Sequence, residues 1–219
     1  MSKGRCAMIK GTARVVGDDV NTDYIISSRR KRDAQDAASL VEFIFEDLPG
    51  GSAEDGVTSG NAGSGERASA GERASAAEPS GPAGRIKPGD IIVAGTDFGC
   101  GSAMEIACEV LKTAGVAAVV AVSFSRTFFR NAINIGLPIM EAETQGICDG
   151  DMVAILPDGD TAVVRSEPDT WQRVLTCPNR GISRNIRSYE GFARELKTAG
   201  GLLAYLRTHG SIPRGKLRG

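Results

Sequence analysis

Histidine and paired cysteines are scarce in this chain of 219 residues, and their scarcity restricts its chemistry. The single histidine, His209, stands near the C-terminus, which argues against a Ser-His-Asp triad, a histidine-rich metal site or a histidine base in the middle of the chain. The five cysteines are an odd number without a C-x-x-C pair: Cys6, Cys100, Cys108, Cys148 and Cys177. Neither a disulfide framework nor a self-contained zinc or iron–sulfur site follows from that spacing. Chemistry here must therefore use hydroxyls, carboxylates, arginines and backbone amides, or a cofactor held elsewhere.

Excess charge and long apolar runs are also missing. Lys plus Arg (26) nearly balances Asp plus Glu (27), so no overall basic field indicates nucleic-acid binding. No apolar run approaches the roughly 18 residues of a membrane span, and Met1–Cys6 is not followed by the apolar core of a secretory signal. With 41% hydrophobic and 24% charged residues, the composition is that of an ordinary globular protein. We therefore expect a cytoplasmic protein.

Aromatic and branched aliphatic residues nearly vanish between Gly50 and Gly84, where Gly, Ala, Ser, Glu and Pro dominate. Within this stretch GERASA occurs twice in tandem, at Gly65–Ala70 and Gly71–Ala76. Such a composition buries too little apolar area to offset the entropy lost on ordering. We therefore predict a disordered insertion at residues 50–84, most simply a neutral expansion of a surface loop, with a functional lid as the alternative. Residues 1–49 and 85–219 are predicted to form one domain.

The apolar pattern outside this stretch predicts an α/β fold. Two strands alternate with two helices that each end near a glycine: Ile91–Gly95, Ala103–Thr113 (before Gly115), Val116–Val122 and Ser125–Ile135 (before Gly136). This order is typical of a parallel crossover. Less regular patterns predict four further elements: a strand at Ala13–Gly17, a helix over Ala34–Asp47, a hairpin from Met152 to Val164 turning at Pro157–Asp160, and a last helix from Arg194 to Arg207 interrupted at Gly200-Gly201.

A glycine-rich turn, Gly99-Cys100-Gly101-Ser102, lies between the first of these strands and its helix. Neither glycine has a Cβ, so the backbone can turn tightly and approach a ligand, and unpaired N–H groups at the helix N-terminus favour an anion such as a carboxylate. The turn lacks the Lys-Ser/Thr of a P-loop and the third glycine of a dinucleotide fingerprint, which argues against nucleotide binding. Ser102 with Glu105 also fits a capping box, so on spacing alone Ser102 is either a helix cap or a reactive hydroxyl.

Three motifs follow one another along the chain. They are Asn21-Thr22-Asp23, then Phe98-Gly99-Cys100-Gly101-Ser102, then the run from Ser123-Phe124-Ser125-Arg126 to Asn131-Ala132-Ile133-Asn134-Ile135-Gly136-Leu137-Pro138. Together they resemble the small subunit of 3-isopropylmalate dehydratase, a family within the aconitase superfamily. The resemblance extends from Met8 to Leu48 and from Arg85 to Arg207, which is nearly everything outside the predicted insertion.

This resemblance implies a single α/β swivelling domain, with the β/β/α architecture of the aconitase C-terminal type, that closes over a large subunit. In the family, the large subunit holds a [4Fe–4S] cluster on three cysteines, which leaves one iron free to bind the substrate hydroxyl. We therefore expect a cluster-bearing partner subunit, and no metal or cofactor site in this chain.

The resemblance also implies an active site around the glycine turn. Ser102 matches the family's alkoxide base, which removes the proton next to a carboxylate during dehydration, and Asp23 matches its active-site aspartate. The backbone at Gly99, Cys100 and Gly101 would bind substrate and stabilise the alkoxide. Arg29 matches an arginine that helps to bind substrate. The alternative for Asp23 is an Asx-type turn residue.

The residues after the turn depart from the family pattern. Relatives read Gly-Ser-Ser-Arg-Glu-His, whereas this chain has Ala103, Met104 and Ile106 in place of the second serine, the carboxylate-clamping arginine and the histidine. Loss of such a charge-assisted contact typically costs about 1.5–3 kcal/mol of binding. Three explanations are open. Either the substrate places a more apolar group there, or the basic segment Arg29–Arg32 supplies the carboxylate clamp from another side, or the chain no longer catalyses the standard isomerisation. The predicted specificity residues are thus Arg30, Lys31, Arg32 and Met104, with a solvated basic run as the alternative for the first three.

The sequence therefore predicts the small subunit of a hydro-lyase that isomerises 2-isopropylmalate and 3-isopropylmalate by dehydration and rehydration, in leucine biosynthesis. We expect it to be active only with a large subunit, and not to act on nucleic acid or membranes. One alternative is the small subunit of a related hydratase for homoaconitate or a methylated malate. Another is a non-catalytic anion-binding module that keeps the glycine turn without the chemistry.

Overall fold

Strands and helices alternate through most of the computed structural model, which describes residues 8–33, 36–48, 86–156, 173–187 and 191–212. The strands are β1 (Ile9–Gly17), β2 (Ile91–Ala94), β3 (Ala118–Ala121), β4 (Ile139–Glu141), β5 (Met152–Leu156), β6 (Arg173–Cys177) and β7 (Ile182–Ile186). The α-helices are α1 (Thr22–Ile25), α2 (Ser28–Asp33), α3 (Glu105–Thr113), α4 (Arg126–Ile135), α5 (Gly191–Ala199) and α6 (Leu202–His209). Short 3-10 helices span Ala38–Phe43 and Pro178–Arg180. The predicted insertion at 50–84 and the hairpin turn predicted at 157–160 lie outside the described residues.

All seven strands of the described residues join one sheet in the order β4-β3-β2-β1-β5-β6-β7. The strands β1 to β4 pair in parallel, whereas β5, β6 and β7 extend the sheet from β1 in antiparallel pairing. The two outer strands approach each other, because the N–H of Arg187, just after β7, donates to the carbonyl oxygen of Glu141 at the end of β4 (2.8 Å). Their side chains form an ion pair at 2.8 Å. The sheet therefore folds over on itself into a parallel and an antiparallel half.

Both faces of the parallel half are buried, which explains why β2 and β3 are continuous apolar runs. One face packs against the helices through Ile92, Ala94, Val119, Ala121 and Ile139. The other packs against the antiparallel strands, in a core that contains Ile91, Val93, Ala118, Val120, Met140, Val153, Ile155, Leu175 and Ile186. The α/β fold class expected from the sequence, with two β layers and one α layer, is confirmed.

The predicted ends of the strands and helices from β2 to α4 agree with the structure to within two residues. The side-chain oxygen of Ser125 caps α4 by accepting the N–H of Phe128 (3.3 Å), and Gly136 ends the helix in the left-handed region at φ 77°. Past the end of α3, Gly115 also takes φ 77°. The C-terminal helix is interrupted where predicted, because α5 and α6 flank Gly200-Gly201. No helix within the described ranges is long and apolar enough to cross a membrane.

The helix predicted over Ala34–Asp47 is wrong. Between residues 36 and 48 the chain forms a 3-10 helix and then a series of turns. Phe45 takes a left-handed φ of 60°, and its N–H donates to the carbonyl oxygen of Ile25 (3.1 Å) instead of a carbonyl one helical turn back. Leu40, Ile44 and Phe45 are buried at 1–2% exposure. Packing against α1 and α3 therefore outweighs the local helical preference of this segment.

Candidate active site

Two distant motifs meet where the parallel strands end. The segment after β1 and the turn after β2 are joined by a bridge between Asn21 and Cys100, and the N–H of Thr22 donates to the carbonyl oxygen of Cys100 (2.9 Å). The hydroxyl of Thr22 also donates to the carbonyl oxygen of Ser102 (3.0 Å). Open α/β sheets bind their ligands beyond the carboxyl ends of the parallel strands. The structure thus brings the Asn21-Thr22-Asp23 motif into contact with the glycine turn through Asn21 and Thr22.

The glycine turn is shaped by its protein neighbours. Gly99 and Gly101 have φ of 79° and 84°, which favours glycine at both positions. A Cβ at Gly99 would lie 2.3 Å from the ring of Phe128, and one at Gly101 would lie 2.5 Å from the side-chain amide of Asn21. The glycines therefore allow the turn to pack against α4 on one side and the Asn21 motif on the other.

Ser102 is exposed, and its hydroxyl makes no hydrogen bond within the part of the chain that the structure describes. The capping-box alternative is wrong, because α3 begins at Glu105 and its N-cap is Met104, whose side chain makes no cap hydrogen bond. The turn thus ends two residues later than that alternative requires. The hydroxyl of Ser102 remains available at the surface, next to a helix N-terminus whose first N–H groups have no side-chain cap.

Asp23 lies in the first turn of α1. Asn21, not Asp23, makes the Asx-type contact: its Oδ1 accepts the N–H of Asp23 (2.9 Å) and caps the helix. This excludes the turn alternative for Asp23. The carboxylate of Asp23 accepts a hydrogen bond from the hydroxyl of Ser28, at the start of α2. Ser28 was not predicted, since no sequence signal distinguishes it from other serines after the motif.

The four basic residues of α2, Arg29 to Arg32, have different contacts. Arg29 donates through Nη2 to both carboxylate oxygens of Asp47 (2.9 and 3.2 Å). Arg30 forms two hydrogen bonds of 2.8 Å with Glu46, and its guanidinium lies 3.8 Å from the centre of the Phe43 ring. The hydrogen bond from Arg30 lowers the pKa of the Glu46 carboxyl. Two of the predicted binding and specificity residues are therefore held by the turn that follows the 3-10 helix.

Lys31 and Met104, two further predicted specificity residues, contact each other. The Nζ of Lys31 lies against the Sδ of Met104, and the Met104 side chain is largely buried, with 8% of the residue exposed. Arg32 is exposed. The arginine that the family pattern would place at position 104 is thus replaced by a thioether in contact with a lysine from α2.

Cys100 is a partly buried thiol in the turn. Its Sγ lies 3.4 Å from the carbonyl oxygen of Asp19. Burial, with smaller contributions from the charges of Asp97 and Asp19, raises the pKa of the Cys100 thiol. At neutral pH it is therefore uncharged, and its contribution to an anion site comes from the backbone rather than from a thiolate.

The candidate site reaches the protein surface, where Ser102 and Ser28 are exposed. Two cavities, of about 360 Å³ (Ala38, Ser39, Val41, Glu42, Ile44, Ile86) and about 140 Å³ (Ile9, Ile133, Gly136, Leu137, Pro138, Ile139, Lys197), include neither Ser102 nor Asp23 in their lining. Among the described residues no group of three or more His, Cys, Asp or Glu side chains is placed to hold a metal ion. A ligand at Ser102 would therefore need a second surface to enclose it.

The fold and the turn at the strand ends define a domain of the aconitase C-terminal type, and the family described as the aconitase C-terminal domain matches residues 66–144. The chain is 36% identical to the 3-isopropylmalate dehydratase small subunit of Moorella thermoacetica, over 91% of this chain and 95% of that protein. It is 35% identical to the methanogen homoaconitase small subunit of Methanocaldococcus jannaschii, over 91% and 92%. The chain belongs to the family of 3-isopropylmalate dehydratase small subunits.

A solved structure supports this membership. The crystal structure of 3-isopropylmalate dehydratase from Methanocaldococcus jannaschii superposes with a TM-score of 0.66 at 32% sequence identity, covering 93% of this chain and 96% of that one. The family resemblance predicted from the three sequence motifs is confirmed.

Proposed function

We propose that this chain is the small subunit of a hydro-lyase that interconverts 2-isopropylmalate and 3-isopropylmalate by dehydration and rehydration, as a step of leucine biosynthesis in the cytoplasm. The observation that carries the proposal is the contact of the Asn21-Thr22-Asp23 motif with the backbone of the turn that exposes Ser102, in a chain of this family. The domain division at residues 50–84 belongs to the same proposal, with the insertion outside the catalytic domain.

Ser102 is proposed to take the proton from the carbon next to a substrate carboxylate. A serine is a weak base at its ordinary pKa, so its alkoxide needs hydrogen-bond donors that are already in place. The N–H of Gly99 is already donated to the carbonyl oxygen of Val20 (2.8 Å), so these donors would come from the later part of the turn and from the uncapped first turn of α3. They would stabilise the negative charge on Ser102 Oγ before the proton transfer, and proton transfer would then give a neutral hydroxyl.

Asp23 is proposed to act beside Ser102 on the leaving or entering water. Ser28 holds the Asp23 carboxylate by donating to it, and Asn21 fixes the backbone of Asp23 through its N–H. A carboxylate held in this way orients a water or a substrate hydroxyl without moving during the reaction.

Arg29 is proposed to bind a substrate carboxylate at the edge of the site. Its contacts to Asp47 and Glu46 all use Nη2, which leaves the N–H groups on Nε and Nη1 without an acceptor among the described residues. A guanidinium has five N–H donors. Arg29 can therefore remain paired with Asp47 while it binds a ligand with its other edge. The specificity residues, Arg30, Lys31, Arg32 and Met104, are proposed to surround the variable part of the substrate.

The large subunit is proposed to supply both the enclosing surface and the Lewis acid. The relatives are named small subunits, and the candidate site reaches the surface of this chain. A [4Fe–4S] cluster of that subunit would supply Lewis-acid chemistry toward the leaving hydroxide, and this chain would then be active only in the complex.

A related substrate is the second candidate, because the methanogen homoaconitase small subunit is 35% identical over 91% of this chain. The hydrated form of homoaconitate carries a further carboxylate on a short carbon chain where isopropylmalate has an isopropyl group. The position of Lys31 against Met104 favours a charged over a purely apolar variable group.

The test is turnover by the complex of this chain with its large subunit, loaded with the cluster under anaerobic conditions. We expect isomerisation of 3-isopropylmalate, and we expect Ser102→Ala to lower kcat by at least about 100-fold while the complex still assembles. Ser183→Ala, an exposed serine of β7, is the matched control and should leave turnover unchanged. Turnover of homoaconitate but not of isopropylmalate would establish the second candidate, and full activity of Ser102→Ala would overturn both.

A further inference from the structure

The cations of α2 are not equivalent. Arg29 and Arg30 are paired with Asp47 and Glu46, whereas Lys31 pairs with no carboxylate among the described residues and instead directs its ammonium at the sulfur of Met104. A thioether sulfur is a weak acceptor, and an ammonium group has three donors to satisfy. The contact therefore leaves most of the hydrogen-bonding capacity of Lys31 unused.

The placement of Lys31 follows from the geometry of α2. Ser28 and Lys31 are three residues apart and so lie on the same helix face. Ser28 donates to Asp23, and Lys31 touches Met104, the second residue after Ser102. One face of α2 therefore reaches both halves of the candidate site, the aspartate on one side and the end of the serine turn on the other.

The structure holds this face in place from the opposite side of the helix. The ion pairs of Arg29 and Arg30, and the packing of Arg30 on Phe43, fix α2 against the segment that contains Glu46 and Asp47. A cation held on such a support loses less freedom when a ligand binds than a lysine on a free loop does. Lys31 is half-buried rather than fully solvated.

We propose that Lys31 binds a carboxylate of the substrate, giving up its contact with the sulfur, while Met104 packs against the adjoining carbon chain. This inference rests on the proposed function. It narrows the substrate class to hydroxy acids that place a carboxylate beside Lys31 and an adjoining apolar carbon chain beside Met104. Lys31 and Met104 would then together replace a single carboxylate-binding arginine: Lys31 provides the positive charge, and Met104 provides the apolar contact.

The first test compares Lys31→Met with Lys10→Met in the complex with the large subunit. Lys10 is an exposed lysine near the start of β1, whereas the candidate site lies beyond the other end of that strand. Loss of a charge-assisted carboxylate contact should raise KM about 10- to 100-fold, with a much smaller effect on kcat, in Lys31→Met only. Lys31→Arg should recover most of the lost affinity. Co-elution with the large subunit and an unchanged thermal midpoint show that each variant folds and assembles.

The second test exchanges the two residues. In the double variant Lys31→Met/Met104→Lys the same contact is rebuilt with the cation on the opposite side. We expect KM to return to within about threefold of the parent value. A structural role of Lys31 in supporting Met104 would predict equally good binding in Lys31→Met and no gain from the exchange.

Equilibrium titration separates this inference from the proposed function. The inactive Ser102→Ala complex is titrated with malate, 3-isopropylmalate and homoaconitate, with and without Lys31→Met. Weaker binding of the best ligand in the Lys31→Met background supports the inference even if none of these acids is turned over. Unchanged binding overturns it, while turnover by the parent complex would still leave the proposed function standing.

Discussion

The hydroxyl of Thr22 donates a 3.0 Å hydrogen bond to the carbonyl oxygen of Ser102, a residue 80 positions further along the chain. Thr22 is 2% exposed, so this bond lies beneath the site rather than in it. It joins the aspartate motif to the serine turn directly. Two segments that belong to different strand ends are thereby fixed as one rigid arrangement.

Replacing Thr22 by Val keeps the shape of the side chain and removes this bond. We expect kcat to fall about 10-fold, since small displacements of reacting groups are costly, and stability to fall by about 1 kcal/mol. Turnover by the complex and thermal unfolding of the variant measure the two effects. Thr176→Val is the matched control, because Thr176 donates a similar bond to the carbonyl oxygen of Ala154 (3.3 Å) in the antiparallel half. If both variants lose activity equally, the link to Ser102 has no special role.

Gly101→Ala tests whether close packing against Asn21 shapes the site. Gly101 and Gly150 have nearly the same φ, 84° and 82°, so alanine is strained at both by about 1–2 kcal/mol. Only at Gly101 would the Cβ meet a neighbour, the Asn21 amide at 2.5 Å, whereas nothing lies within 4 Å at Gly150. We expect Gly101→Ala to be the less stable variant in denaturant unfolding and the only one with reduced kcat. Equal losses in the two would show that backbone strain alone matters.

Ser28→Ala removes the donor that holds the Asp23 carboxylate. We expect kcat to fall about 10-fold with little change in KM, because the carboxylate is left free to rotate but substrate contacts are kept. Steady-state kinetics of the complex give both constants. Ser39→Ala, which removes a local bond to the carbonyl oxygen of Asp36 (2.8 Å), should change neither. A rise in KM alone in Ser28→Ala would assign Ser28 to substrate binding instead.

Acid stability should depend on Asp151, in the loop before β5. Burial acts to raise the pKa of Asp151, but hydrogen bonds from the N–H of Cys148 and from the side chains of Arg180 and Asn179 outweigh it, so the pKa lies below its ordinary value. The charged form is thus favoured in the folded state. Its stabilisation is fully present above the unfolded pKa of about 4 and is lost as pH falls through the lower folded pKa.

The corresponding variant is Asp151→Asn. We expect it to be less stable at pH 7 by about 1–3 kcal/mol, with a difference from the parent that shrinks below about pH 4. Urea unfolding at pH 7, 4 and 3 measures this difference. Glu143→Gln, at an exposed position, is the matched control. A difference for Asp151→Asn that stays constant with pH would show that the charge of Asp151 is not what stabilises the loop.

The unit from β2 to α4 was predictable because the sequence features that determine it are local. The strand runs, the Ser125 cap and the glycines that end α3 and α4 act within one or two turns of the chain. The helix predicted from Ala34 failed because the N–H of Phe45 pairs with Ile25, a contact that no local pattern encodes.

The candidate site was predictable only in part. Asp23, Ser102 and the glycine turn followed from their motifs, and the structure shows that the first motif contacts the turn through Thr22. The function of Ser28 and the pairing of Lys31 with Met104 depend on which face α2 presents. That face is set by ion pairs with Glu46 and Asp47 in a segment whose helical periodicity was itself misleading.

The bridge between Glu141 and Arg187 has a consequence for aggregation. An outer strand with free N–H and carbonyl groups is a template onto which another copy of the chain can add. Here the last residue of β4 is already engaged by the segment that follows β7. Edge-to-edge pairing with another copy at that end would first have to displace Arg187, so this contact disfavours such pairing there.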